Sequence, residues 1–177
     1  MLGTLIRYFR INKAIGAAEQ MLREFIASEA MFRAIPSSIY EDPYVWGYLG
    51  SVTMHWLDLV YAESIPYEFS IDEKARIARG ATVALASMSM KRYAVIKDTL
   101  AGEDSLEGMR QARKMIGVMY GKLGAADDPE IASLLKDASK LAPDESPAGF
   151  AAGMLKSHHL GRRIDSILAV TSRAGTV

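Results

Sequence analysis

The stretch YVWGYLGSVTMHWLDLVY, residues 44–61, decides how this chain folds. It holds both tryptophans of the protein and carries no lysine, arginine, aspartate or glutamate before Asp58. The uncharged run from Pro43 to Leu57 is shorter than the roughly 20 residues that a helix needs to cross a bilayer. The stretch is therefore predicted to form the centre of a folded core and not a membrane span.

Helical periodicity gives this stretch two faces. One face is a broad apolar stripe of Val45, Tyr48, Leu49, Val52, Trp56, Leu59 and Val60. The opposite face has small residues where an exposed helix would have charged ones, namely Gly47, Gly50 and Ser51, together with Met54. A helix that is apolar or small on all sides is buried on all sides, so residues 43–63 are predicted to form a central helix.

Capping signals along the rest of the chain are helical. A capping side chain stands directly before a proline, the order preferred at a helix start, in Asp42-Pro43, Asp128-Pro129 and Ser146-Pro147. Residues 70–73 and 104–107 have the spacing of capping boxes. No stretch alternates apolar and polar residues with β-branched enrichment, so no strand is predicted.

These patterns predict an all-α protein, a single-domain bundle of about six helices around the central apolar helix at 43–63. The helices are expected at about 3–33, 43–63, 71–100, 105–122, 129–141 and 147–172. No linker or internal repeat divides the chain, so residues 1–177 are predicted to be a single helical domain with residues 173–177 as a frayed tail.

Composition excludes several classes of function. Apolar residues make up 50% of the chain and charged residues 24%, which is ordinary for a soluble globular protein. The formal net charge of zero gives no global attraction to nucleic acid, so no nucleic-acid partner is predicted. The absence of cysteine excludes disulfides, thiol catalysis and thiolate metal sites. Arg7, Arg10 and Lys13 interrupt any apolar signal segment, which favours a cytoplasmic protein.

Sequence motifs for catalysis do not occur. HExxH, Glu-x-x-His, GxSxG and the glycine-rich phosphate-binding patterns are all missing. His55 and Asp58 are spaced to share a proton or an ion, but the position of His55 is more typical of a partly buried, hydrogen-bonded histidine. His158 and His159 are expected to point in different directions within a modest basic patch. No catalytic residue, metal site or cofactor is therefore predicted.

The last helix carries a ridge of small residues. They recur every four residues at Gly149, Gly153, Ser157 and Gly161. Small residues at this spacing let a second helix backbone come unusually near. The pattern favours close packing within the chain, and the alternatives are packing against a second copy or a cavity kept open for a ligand. The ridge is therefore a candidate interface.

The first helix has two apolar faces, and one core cannot bury both. Its main stripe consists of Tyr8, Ile11, Ile15, Ala18, Leu22, Phe25 and Ile26. A second apolar set lies on the opposite side and consists of Leu2, Leu5, Ile6 and Phe9. Either the first turn folds back, or these four residues contact a second subunit, a partner protein or a membrane surface reached through residues 1–13.

The sequence thus favours a non-enzymatic helical binding or assembly protein that acts through homo-oligomerisation or a protein partner. The alternative is a carrier or small enzyme with an apolar pocket beside helix 43–63, near His55. The residues predicted to line such a pocket are Trp46, Tyr48, His55, Trp56 and Asp58.

Overall fold

A computed structural model describes residues 2–30, 35–61, 67–124, 126–141 and 146–174 of the chain. It divides the protein into two compact units, Met1–Met109 and Arg110–Val177. Every regular element in the described residues is helical, which confirms the predicted all-α class. None of the helices in this part of the chain combines the length and the apolar character that a membrane span requires. The prediction of a single domain stays a prediction.

The helices follow one another with short connections. A 3₁₀ turn at Ser37–Glu41 precedes the second helix, and π turns at Leu57–Tyr61 and Ser157–Gly161 follow the second and seventh helices. The helices are α1 Leu2–Ala30, α2 Pro43–Trp56, α3 Ile71–Leu85, α4 Met90–Ile96, α5 Glu103–Met119, α6 Pro129–Leu141, α7 Pro147–Lys156 and α8 Arg162–Ala174.

Most of the predicted caps begin their helices, but the capping box predicted at 104–107 does not, because α5 already begins at Glu103. The Asp42 carboxylate accepts a hydrogen bond from the Val45 amide at 3.1 Å, two residues after the proline that begins α2. Ser70 and Glu73 form a reciprocal capping box at the start of α3. Such caps satisfy amides that the first helical turn leaves without a partner, and each stabilises the helix by about 1 kcal/mol.

Unit 1 is built from α1 and α2 packed against α3. The buried face of α1 consists of Ile11, Ala14, Ala18, Leu22 and Ile26, and α2 adds Val45, Tyr48 and Leu49, each no more than 4% exposed. The predicted central position of α2 is confirmed. Tyr8 was predicted to belong to the buried stripe, but it is 51% exposed. The first buried residue of the stripe is Ile11, about one turn later.

The backbones of α2 and α5 touch at a pair of glycines. A β-carbon at Gly47 would lie 2.0 Å from the carbonyl oxygen of Ser105, and one at Gly108 would lie 2.1 Å from that of Tyr44. Both distances are shorter than any real contact, so only glycine fits at either position. The close approach of α5 therefore explains why α2 has a glycine at position 47. It does not explain Gly50, where a β-carbon meets nothing within 4 Å.

The prediction of a single helix at 71–100 is wrong, because the helix ends at Leu85 and a separate helix begins at Met90. Ser87 adopts a left-handed backbone conformation with φ of 51°. The Met88 amide then donates to the Val83 carbonyl oxygen at 3.0 Å, which closes the end of α3. Ser89 caps the next helix by accepting a hydrogen bond from the Arg92 amide at 3.1 Å.

Unit 2 is centred on α6 packed against α7. Its fully buried side chains include Ile131, Leu155, Leu160 and Ile164. The predicted helix at 147–172 continues to Ala174, but a π turn at Ser157–Gly161 interrupts it. Of the predicted frayed tail, Arg173 and Ala174 are helical, and residues 175–177 lie outside the described residues. The predicted helix ends at 31–33 and 62–63 also lie outside them.

The close crossing of α2 and α5 is testable with matched glycine substitutions. Gly47→Ala is expected to lower the free energy of unfolding by about 1–3 kcal/mol, because the added methyl group collides with a backbone atom that cannot turn aside. Gly50→Ala lies in the same helix with open space around it and is expected to be neutral or to stabilise by about 0.5–1 kcal/mol. Urea titration measures both, and equal effects would mean that the backbones do not touch.

Candidate functional site

The pocket residues predicted on α2 have separate neighbours. Tyr48 is fully buried, and burial raises the pKa of its hydroxyl group. Trp46 stacks on Tyr93 of α4 at 5.6 Å between ring centroids, and Trp56 lies against Tyr61 at 5.0 Å. Both tryptophan rings therefore contact aromatic rings of the protein itself.

The polar members of the predicted pocket are also occupied. His55 is half-buried, and its Nδ1 lies 2.8 Å from the carbonyl oxygen of Ser51, as expected for a hydrogen-bonded histidine. Asp58 lies in the π turn after α2 and forms an ion pair with Lys74 of α3. Because the five predicted residues contact different neighbours, a shared ligand pocket beside α2 stays a prediction.

A groove does lie between α1 and α3, away from those residues. Its volume is about 350 Å³, and it is lined by Thr4, Arg7, Tyr8, Ile11, Ser70, Asp72, Glu73 and Arg76. The α3 side is its first turn, where the capping box fixes the backbone. The lining carries two basic and two acidic side chains, so the groove has charges of both signs.

Arg7 and Glu73, which both line this groove, form an ion pair. The Arg7 Nε atom lies 2.5 Å from Oε1 of Glu73, whose side chain is only 8% exposed. The hydrogen bond from Arg7 is the main reason that the pKa of Glu73 falls to about 2; burial opposes this shift, and the Ser70 amide supports it. Tyr67 donates a further hydrogen bond to the same carboxylate at 3.2 Å.

Several large apolar side chains of α1 and α3 are exposed, and one of them, Tyr8, also lines the groove. We define the α1 surface as Leu5, Ile6, Tyr8, Phe9 and Ile71, which are 53%, 45%, 51%, 63% and 73% exposed. Three of them belong to the set predicted on the second face of the first helix. The side chain of Leu2, the fourth member, lies outside the described residues. Because the segment is helical from Leu2 onward, it does not fold back on itself.

The sequence could not reveal the groove, since its walls are far apart in the chain. Arg7 and Glu73 are 66 residues apart, and their pairing depends on how α1 packs on α3. The only local signals were the second apolar face of α1 and the capping-box glutamate. These two signals lie in separate segments of the chain, and only the tertiary structure brings the segments together.

The small-residue ridge does not pack closely within the described chain. Gly149, Gly153 and Ser157 are exposed, and only Gly161 is buried. A β-carbon at Gly153 meets nothing within 4 Å, and one at Gly149 meets only its own Ser146 at ordinary distance. The prediction of tight packing inside the chain is therefore wrong for Gly149, Gly153 and Ser157. The buried face of α7 is the opposite one, which carries Ala151, Ala152 and Leu155. The role of the ridge as an interface stays a prediction.

Comparison with known proteins does not assign a family. The sequence matches no protein-family model, and comparisons with curated proteins and with solved structures find no significant match. Function is therefore argued from the geometry of this chain alone.

Because the pKa of Glu73 is lowered, the stability of the protein in acid tests the ion pair between Arg7 and Glu73. A carboxyl group with a folded pKa of about 2 against an ordinary 4.5 stabilises the fold above pH 4.5 and loses that contribution as the pH falls toward 2. We expect Glu73→Gln to lower the free energy of unfolding by about 1–3 kcal/mol at neutral pH and to flatten its acid dependence.

Asp72→Asn is the matched control, because Asp72 is the exposed neighbour of Glu73. Chemical denaturation at several pH values measures both variants. An unchanged acid profile in Glu73→Gln would contradict the ion pair.

The exposed ridge is tested by Gly153→Leu. Because a side chain at this position meets open space, the melting temperature of the variant is expected to equal that of the wild type or to rise slightly. Thermal unfolding followed by circular dichroism, with molar mass from light scattering, measures the result. A large loss of stability at constant mass would contradict the exposed position, and a changed mass would support the interface prediction.

Proposed function

We propose that this protein is a non-enzymatic assembly protein that associates with a second copy of itself through the α1 surface. The observation that supports the proposal is the exposure of Phe9 and its neighbours on a regular helix. Monomeric proteins expose single apolar side chains commonly, but contiguous apolar patches bordered by charge are typical of interaction sites. Here the exposed set consists of four side chains within the first three turns of α1, together with Ile71 at the start of α3.

Burial of this surface supplies a sufficient driving force. Covering a large apolar side chain completely is worth about 1.5–3 kcal/mol, and each member of the α1 surface has roughly half or more of that area still to bury. The aromatic pair of Tyr8 and Phe9, packed edge to face at 6.2 Å, provides the rigid anchor that interfaces favour. The groove beside the pair offers space for such an anchor from a partner.

Charge distribution favours a second copy over a membrane or an acidic partner. Arg7 and Arg76 line the groove together with Asp72 and Glu73, so its surface is neutral overall and can complement itself. A two-fold interface requires this property, because the same patch is present on both sides. An anionic membrane would instead select an exclusively basic rim.

The test removes the apolar side chains without touching the ion pair. Leu5→Ser combined with Phe9→Ser is expected to weaken self-association by at least about 10-fold, because two half-exposed apolar side chains no longer become buried. Molar mass from light scattering and sedimentation over a range of concentrations measures the effect. Circular dichroism checks that the helices remain.

Val95→Ser is the matched control, because Val95 is 72% exposed on α4 and is not part of the α1 surface. It is expected to leave the molar mass unchanged. A wild-type protein that stays monomeric at every concentration would refute self-assembly, and so would equal effects of the two substitutions. Binding to anionic vesicles that is lost in the double variant, without a change in mass, would assign the surface to a membrane instead.

A further inference from the structure

Unit 2 contains a cluster of nitrogen and oxygen ligands that the sequence motifs did not indicate. Glu130 lies in the first turn of α6, and His158 and His159 lie in the π turn after α7. One ligand atom from each of the three residues lies within 4.8 Å of the others. The cluster is independent of the α1 surface, which belongs entirely to unit 1.

The π turn explains how two adjacent histidines face the same carboxylate. Neighbouring residues of a regular α-helix point in different directions, which is why the sequence predicted that the two rings diverge. That prediction is wrong, since the ring centroids are 4.9 Å apart. His158 uses Nδ1, the nitrogen near the backbone, and His159 uses Nε2, the more distant one. The different reach of these atoms lets both arrive at Oε1 of Glu130.

Two of the three separations between the ligand atoms fit one small metal ion. Nδ1 of His158 lies 3.0 Å from Oε1 of Glu130, and Nε2 of His159 lies 3.1 Å from the same oxygen. Ligand atoms about 2.0–2.2 Å from a zinc ion lie roughly 2.9–3.5 Å from one another at ordinary coordination angles. Both measured separations fall in this range.

Lys114 holds the glutamate in place from the other side. Its Nζ atom lies 2.5 Å from Oε2 of Glu130 and 2.7 Å from Oδ2 of Asp128. These contacts orient the carboxylate, with Oε2 toward Lys114 and Oε1 directed toward the histidines. Such outer partners commonly orient metal ligands.

The His159 ring faces the Glu130 carboxylate. Its Nε2 is buried and has no hydrogen-bond partner among the described residues, although it lies beside the Glu130 carboxylate.

We propose that Glu130, His158 and His159 bind a divalent first-row transition metal ion, with Zn²⁺ as the best match to two imidazoles and one carboxylate. The ion replaces the hydrogen between His158 and Glu130, and the His158 ring then carries its hydrogen on Nε2. Three protein ligands leave a coordination position for water. This position is reached from solvent, because the His158 side chain is 40% exposed.

Calorimetric titration of the full chain with Zn²⁺ alone, and with Co²⁺ alone, tests the site. We expect one ion per chain, and we expect His159→Ala and Glu130→Gln each to weaken binding by about 10-fold or more. His55→Ala is the matched control, since it removes the third histidine of the chain and leaves the cluster intact. It is expected to bind as the wild type does.

A second measurement needs no variant and so remains valid if a substitution unfolds unit 2. In the wild-type protein, Zn²⁺ is expected to shift the NMR ring resonances of His158 and His159 and to leave those of His55 in place. Weak binding of several ions per chain, binding that survives both ligand substitutions, or shifts at His55 alone would each overturn the proposal.

Discussion

The contact between the backbones of α2 and α5 is the constraint on which unit 1 depends. Gly47 receives the Ser105 carbonyl group and Gly108 receives that of Tyr44, so each helix fills the space that the other leaves empty. With both glycines engaged, the helices can cross at only one register, because any shift would bring a side chain against a backbone atom. The opposite face of α2, with Tyr48 at 0% exposure, is then free to build the core beneath α1 and α3.

Two π turns, which depart from regular α-helix geometry, position polar side chains of this protein. The π turn at Ser157–Gly161 brings two consecutive imidazoles to one carboxylate, which a straight helix would prevent. A second π turn at Leu57–Tyr61 contains Asp58 and its ion pair with Lys74. Single π turns cost hydrogen-bond geometry and are found often at functional sites, which agrees with the histidine cluster.

The two units have different chemistry and suggest different tasks. Unit 1 has exposed apolar side chains on α1 and α3 and a groove with charges of both signs, the features on which the proposed self-association rests. Unit 2 has a compact set of ionisable groups in which Glu130 is shared by a lysine and two histidines. Assembly through the first unit and metal binding through the second are compatible, because no residue is common to both.

The sequence by itself determined the helical class, the start of most helices and the burial of α2, because capping and periodicity act within a few residues. It also indicated that Leu5, Ile6 and Phe9 would not share the core of α1. The break at Ser87 escaped it, since a left-handed serine leaves little trace in a helical pattern. Only the tertiary structure decided the pairing of Arg7 with Glu73 and the meeting of Glu130 with the histidines. Those contacts join distant segments, and packing rather than local propensity brings their side chains together.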